Sequence, residues 1–332
     1  MALIEVPEAP AIPGLVLRGF EGPSDYPGMV EVIEASKAVD RIERTDSVAD
    51  LARNYAHLTN CDPYTDMLFA EVDGDVIAYG RVTWWTEVEG RRRYLAFGFI
   101  KPTYRRRGLG TAILRWNERR IREIAADHPP EIPKLIEVFA SDGEPGAGAL
   151  YEAEGFEPDQ YDVDMVRADL AEIPVAHLPD GLEVRTPGVH QMRRVWEADR
   201  EAFRDHPGSS EDIETFEQWL ARPHHDPTLW RVAWDGEEVA GQVRSYIDPA
   251  ENAEYRRKRG YTEFISVRRP WRRRGVARAL LCQSLEALRE RGMEEAALGV
   301  MTDNPRGALD LYESVGFRVA KRYTSYEKPV EP

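Results

Sequence analysis

The stretch Val267-Arg-Arg-Pro-Trp-Arg-Arg-Arg-Gly-Val-Ala-Arg-Ala-Leu-Leu281 occurs twice. Its other copy is Ile100-Lys-Pro-Thr-Tyr-Arg-Arg-Arg-Gly-Leu-Gly-Thr-Ala-Ile-Leu114. A strand-like run, Tyr261 to Val267, precedes the second copy. Helical spacing follows it at once: Ala277, Leu280, Leu281, Ser284 and Leu288 share one face, and Gly292 ends the helix. The stretch is therefore a turn from strand into helix. A helix start carries unpaired N–H groups and partial positive charge, which suit a phosphate. Gly275 lacks a Cβ and lets backbone approach a ligand, as does small Ala277. The arginines add charge-assisted hydrogen bonds to anionic oxygens. This predicts a pyrophosphate cradle at Arg272 to Ala277, and another at Arg105 to Gly110.

Working outward, the two copies lie 167 residues apart, Arg272 against Arg105. Gly14-Leu-Val-Leu-Arg18 returns as Gly181-Leu-Glu-Val-Arg185 at the same spacing. Asp73-Gly-Asp-Val-Ile-Ala returns as Asp235-Gly-Glu-Glu-Val-Ala. Leu150-Tyr-Glu-Ala-Glu-Gly-Phe156 returns as Leu311-Tyr-Glu-Ser-Val-Gly-Phe317. Four matches in one order, at a domain-sized period, mean two copies of one domain and not a solenoid. The expected halves are 1–170 and 178–332. Their junction falls in Ala168 to Asp180, which carries Pro174 and Pro179. In the second half, strands are expected at Gly181 to Arg185, Leu229 to Trp234, Glu238 to Tyr246, Tyr261 to Val267, Ala296 to Val300 and Phe317 to Tyr326. Helices are expected at Val189 to Phe203, Glu211 to Leu220, the stretch after Gly275, and Arg306 to Ser314. Asp235-Gly236 signals a hairpin. Each half is thus α/β with a mixed sheet of the α+β type.

Composition narrows the chemistry. Of 332 residues, 59 are acidic and 44 basic, for a net charge of −15. A general nucleic-acid binder carries the opposite sign, so the arginine islands point to a local anionic ligand. Apolar windows such as Tyr94 to Ile100 are far shorter than the ~20 residues a bilayer needs. Met1 to Pro10 has neither a basic nor a long apolar segment, so no signal peptide is expected. Two cysteines, Cys61 and Cys282, exclude a disulfide scaffold or Cys-rich zinc site, and a reducing cytoplasm is the expected compartment. His224-His225 lacks a third ligand, and no metal is expected. Neither loop continues as Gly-Lys-Ser/Thr, so neither is a Walker cradle. The Rossmann pattern fails as well: the loops sit mid-domain and lack its third glycine.

Arg-x-x-Gly-x-Gly/Ala after a strand, with Leu-Tyr-Glu-x-x-Gly-Phe downstream, resembles the GNAT (GCN5-related) N-acetyltransferase superfamily. Asp303 to Phe317 is similar to its second motif. Both halves match, and a tandem pair of this size is similar in architecture to the mycothiol synthases. The resemblance implies two tandem GNAT-like domains that use acetyl-CoA as co-substrate. Its pyrophosphate loop maps onto Arg272, Arg273, Arg274, Gly275, Val276, Ala277 and Arg278. In the first half it maps onto Arg105, Arg106, Arg107, Gly108, Leu109, Gly110 and Thr111. The pantetheine arm maps beside Ile265, Ser266 and Val267, and beside Gly98, Phe99 and Ile100. Asn304 maps near the cofactor.

Acetyl transfer from a thioester needs a neutral amine, N–H donors for the oxyanion, and a proton for the departing thiolate. By resemblance, Tyr312 is the acid and Tyr151 its first-half counterpart. An amphipathic helix also takes a tyrosine there as a core residue. The position where many members place a glutamate holds Tyr261, and Tyr94 in the first half. Glu263 lies two residues on. By alternation it shares a face with Tyr261, Ile265 and Val267, and it is a candidate base, directly or through water. Its counterpart by spacing is Ala96. Asp142 to Ala149 holds no counterpart to Asn304, so the second half is the expected catalytic copy and the first a degenerate one. The resemblance implies that the region between the first two helices reads the acceptor. There, Asp205 and His206 on a Pro-Gly loop are substrate-binding candidates with Tyr261, and His206 is a reserve base. Cys282 reads as core.

The expected function is N-acetyl transfer from acetyl-CoA to a primary amine, in a ternary complex. The alternative is an acyl-CoA-binding sensor without turnover. The expected partner is a small-molecule amine, with no nucleic acid and no membrane, and the chain is a monomer or homodimer.

Overall fold

Asp73-Gly74 and Asp235-Gly236 each close a tight hairpin, with Gly74 and Gly236 at φ 88° and 57°. Such turns match the right-handed twist of the strands they join. Around these hairpins the computed structural model builds two similar units, and it describes residues 3–204, 206, 209–210, 214–302 and 307–331. The first half of the chain runs β1 (Leu15–Arg18), α1 (Tyr26–Asp40), α2 (Val48–Tyr55), β2 (Met67–Val72), β3 (Asp75–Thr86), β4 (Arg92–Ile100), α3 (Leu109–Ala126), β5 (Lys134–Ser141), α4 (Pro145–Ala153) and β6 (Glu157–Arg167). The second runs β7 (Glu183–Arg185), α5 (Met192–Phe203), α6 (Phe216–Leu220), β8 (Arg231–Asp235), β9 (Glu238–Ile247), α7 (Pro249–Tyr255), β10 (Arg259–Val267), α8 (Val276–Glu290), β11 (Glu295–Met301), α9 (Ala308–Ser314) and β12 (Arg318–Pro329). This is the α/β mixed sheet expected. The Pro249–Tyr255 helix had no counterpart in the sequence reading.

Unit 1 comprises Met1–Gln160 with Tyr323–Pro332, and unit 2 comprises Tyr161–Arg322. In unit 1 the strands lie in the order β1, β2, β3, β4, β5 and then β12, whose residues Tyr323 to Pro329 pair with β5. In unit 2 they lie β7, β8, β9, β10, β11 and then β6, whose residues Asp162 to Arg167 pair with β11. Each unit thus completes its sheet with a strand from the other half of the chain. β4 pairs with β5 and β10 with β11 in parallel.

The packing follows the helical faces. Leu280, Leu281, Leu285 and Leu288 of α8 are fully buried, as are Ala112 and Ile121 of α3. Each such leucine contributes roughly 1.5–3 kcal/mol of transfer free energy. The stretch expected as a junction is built into unit 2. Ile173 and Ala176 pack on the cluster holding Leu281 and Leu285, and Arg289 of α8 donates to the Ala171 carbonyl at 3.2 Å. Unit 1 has the same strap. Val6 is buried with Leu109 and Ala112, and Glu8 pairs with Arg119 at 2.9 Å. The repeat therefore begins earlier than the glycines Gly14 and Gly181. No helix among the described residues is long and apolar enough to cross a membrane.

Candidate active site

Both strand-to-helix loops take one unusual backbone path. Arg273 and Gly275 have φ 58° and 84°, and Arg106 and Gly108 have φ 60° and 86°. Left-handed residues alternating with ordinary ones curl the chain so that successive N–H groups converge, which forms an anion nest at the start of α8 and of α3. A Cβ placed on Gly275 would meet nothing within 4 Å, so the cradle is open. Arg273, Arg274, Arg106 and Arg107 are exposed beside it. These features fit a diphosphate. Val276 and Leu109 point into the core, and only their backbone faces the nest. Arg278 reaches Ser314.

The first arginine of each triplet turns inward. Arg272 donates from Nε to the Val267 carbonyl at 2.8 Å and from Nη2 to the Ala202 carbonyl at 3.1 Å. Arg105 donates to the Ile100 carbonyl at 3.0 Å, to Ser36 at 3.1 Å and to Asp40 at 2.7 Å. These two arginines hold the loop to the strand before it and to the first helix of the unit.

The two units part company at the central strands. In unit 1, β3 and β4 pair without interruption from Ala78 opposite Ile100 to Thr86 opposite Arg92. In unit 2 the register of β9 and β10 shifts between Glu263 and Ser266, and Phe264 sits at φ 51°. This is a bulge with one extra residue on β10. It corrects two expectations. Glu263 lies opposite Arg244, and Phe97 opposite Arg81, so the unit 1 counterpart of Glu263 is Phe97 and not Ala96. The bulge also breaks the alternation. Ile265 and Val267 pack with Val276 and Leu280 of α8. Tyr261 and Glu263 face away, because Gly260 is the residue against Leu288.

Among the described residues, β10 and β11 pair only from Arg259 opposite Glu295 to Tyr261 opposite Ala297. Past that point the Glu263 carboxylate accepts a hydrogen bond from the Gly299 N–H at 3.2 Å. Burial pushes the Glu263 carboxyl up to about 7. Asp164 on β6 pushes the same way, against the Gly299 amide. Tyr312 on α9 is buried, and burial followed by the charge of Glu263 raises its phenol. Tyr312 is thus within electrostatic reach of Glu263.

The other candidates separate. Tyr261 stacks on Tyr246 with centroids 4.9 Å apart, and its hydroxyl donates to Glu251. His206 bonds through its backbone N–H to Phe203 at 2.8 Å, and its ring lies on that phenyl. Asp205 and Asn304 lie outside the described residues. His224 stands 3.4 Å from Asp248, while His225 lies edge-on to Trp219 and Trp230. No metal-holding group occurs among the described residues. Sequence reasoning missed Asp164, which arrives on a strand from the other half of the chain, and Tyr246, whose phenol is raised by burial and then by Glu263.

The acetyltransferase (GNAT) family model matches residues 32–156 and again 191–317. The chain belongs to the GNAT family. It is similar to a mycothiol acetyltransferase of Geodermatophilus obscurus, 28% identical over 89% of this chain and 91% of that one. A second mycothiol acetyltransferase, from Catenulispora acidiphila, is 29% identical over 66% and 67%. Among solved structures, a GCN5-related N-acetyltransferase from Sphaerobacter thermophilus superposes with a TM-score of 0.74 at 28% identity, over 97% of both chains. A tandem GNAT protein from the clavulanic acid biosynthesis pathway shares the fold, with a TM-score of 0.66 at 14% identity over 96% and 99%. The protein is a tandem GNAT acyltransferase.

Within this GNAT pair, unit 1 keeps the nest backbone and differs at the central strands. Phe97 replaces the carboxylate and the strand has no bulge. Tyr151 is half-buried, and desolvation of its hydroxyl raises the phenol. Tyr94 bonds His128 at 2.6 Å and is pushed up to about 12 by burial.

Proposed function

We propose that unit 2 transfers an acetyl group from acetyl-CoA to a primary amine of a small molecule, within a ternary complex. One observation carries this reading: the half-buried Glu263 carboxylate takes the Gly299 N–H where β10 and β11 part, on the strand that runs into the Gly275 nest, and its charge reaches the buried Tyr312 phenol. Acetyl-CoA supplies the activated acyl group. Arg273, Arg274 and the nest at Gly275 hold its diphosphate, and the strand edge at Ile265 to Val267 receives its pantetheine arm. Glu263 takes the proton from the incoming ammonium, a task suited to a group that titrates near 7. Tyr312 gives its proton to the departing sulfur. A backbone N–H freed by the bulge stabilises the charge growing on the carbonyl oxygen. The names of the curated relatives support a small-molecule acceptor. The test is acetyl-CoA-dependent thiol release across an amine panel, read with the mass of the acceptor. Release matched by an acetylated amine supports the reading; tight acetyl-CoA binding with no acetylated amine contradicts it.

Unit 1 has a different role. Its unbroken β3–β4 ladder and Phe97 favour binding of acyl-CoA without turnover.

A further inference from the structure

The bulge that sets the site needs an explanation of its own, because nothing local makes it cheap. Phe264 adopts a left-handed backbone that a residue with a Cβ resists. Its ring lies flat against two guanidiniums, 4.2 Å from Arg244 and 4.8 Å from Arg222. Arg244 is buried and pairs with Asp199 of α5, which is also buried. The second Asp199 oxygen accepts from the Ser266 hydroxyl at 2.9 Å. Asp199 therefore grips both sides of the bulge: Ser266 just after it, and Arg244 on the facing strand opposite Glu263. Arg222 is held in turn by Glu214 at 2.6 Å.

Unit 1 is the natural control. Its bulge is absent, and so are the parts. Phe99 stands where Ser266 stands, and the matching turn of α1 carries Val32 and Ile33, both buried. Arg81 remains, stacked on Phe97 at 4.7 Å and on Tyr55 at 5.1 Å. The arginine alone does not make a bulge.

We infer that Asp199, bound to Ser266 and Arg244, is a clamp that holds Phe264 in its left-handed turn and thereby positions Glu263 and the oxyanion-binding amide. Asp199 and Arg244 are positioning residues, since neither belongs to the nest or to the pantetheine edge, while Ser266 lends its side chain to the clamp and its backbone to that edge. The clamp's catalytic meaning rests on the acetyl-transfer reading above, but its structural meaning does not.

The test uses the full-length protein with Asp199→Asn, which keeps the size of the side chain and removes its charge. Two readouts are taken: steady-state transfer, and amide hydrogen exchange across residues 263–266. The inference expects kcat to fall about 100-fold, as for a roughly 1 Å misplacement of reacting groups. KM for acetyl-CoA should rise by less than kcat falls, because the nest is untouched although the pantetheine edge loosens, and exchange at 263–266 should quicken at least about tenfold. Adding Phe264→Gly, which relaxes the left-handed turn, should shrink the Asp199→Asn penalty to about threefold or less. Unchanged kcat and exchange in Asp199→Asn, or an equal penalty in both backgrounds, overturns the inference. If that variant does not fold, Ser266→Ala removes one hydrogen bond and should cost up to about tenfold in kcat. If the wild-type protein transfers no acetyl group, the functional reading fails, and the exchange measurement alone still decides for or against the clamp.

Discussion

The Glu263 carboxylate receives the Gly299 N–H across the gap where β10 and β11 stop pairing, at 3.2 Å. A side chain thus occupies a place that the ladder leaves to backbone, and its protonation is tied to the fold. The folded pKa of about 7 lies above an ordinary Glu value near 4.3. Below about pH 4 the carboxyl is protonated in both states and costs nothing. Between about 4.3 and 7 the folded state holds more protons, so stability falls as pH rises, by a total of about 4 kcal/mol. Transfer activity should run the other way, rising through pH 7 as the proposed base ionises. Glu263→Gln should abolish the activity rise and melt higher than wild type at pH 8, with the two converging at about pH 4. Melting curves that stay parallel from pH 4 to 8 would contradict this.

Gly275 and Gly108 share a backbone conformation, and the proposed function assigns turnover to the unit of Gly275 alone. Gly275→Ala meets no clash, so its cost is the left-handed backbone alone, about 1–2 kcal/mol. That should raise KM for acetyl-CoA by up to about tenfold with kcat unchanged. Gly108→Ala should leave turnover within about twofold and weaken only a second coenzyme A binding step, seen by calorimetry. Loss of turnover in Gly108→Ala with normal Gly275→Ala would reverse the assignment of the units.

The arginine triplet should divide by role. Arg272 tethers the loop through the Val267 and Ala202 carbonyls, so Arg272→Met should cost about 2 kcal/mol of stability, on the order of 5 °C in Tm. Arg274 is exposed, so Arg274→Met should leave Tm unchanged and weaken coenzyme A binding in a salt-dependent way. Equal thermal shifts for the two variants would remove the distinction.

The loop was legible because its parts adjoin in sequence: strand, arginines, glycine and helical face run without interruption from Tyr261 to Leu288. Tyr312 and Glu263 are candidates that a motif and a strand nominate. The bulge was not. Phe264 is no glycine, and only its stack on Arg244, a residue twenty positions earlier, marks it as a left-handed turn. The slip it causes moved the counterpart of Glu263 from Ala96 to Phe97. The strand exchange left no local mark either. β6 and β12 both have the pattern of an ordinary strand, and strand propensity does not name a partner. Asp164 consequently reached Glu263 unannounced. The proline-marked stretch before Gly181 reads as a linker by composition, although Ile173 and Ala176 bury their side chains on α8.

Tyr312 and Tyr151 are matched residues in the two units, each on the helix after the fifth strand, the first buried and the second half-buried. Removing one hydroxyl from each, as Tyr312→Phe and Tyr151→Phe, and measuring thiol release from acetyl-CoA with a productive amine, compares the two sites in one experiment. The account predicts a loss of about 100-fold or more in kcat for Tyr312→Phe, the size of one general-acid contribution, with KM for acetyl-CoA little changed. It predicts turnover within about twofold of wild type for Tyr151→Phe. Full activity in Tyr312→Phe, or a loss confined to Tyr151→Phe, would contradict it.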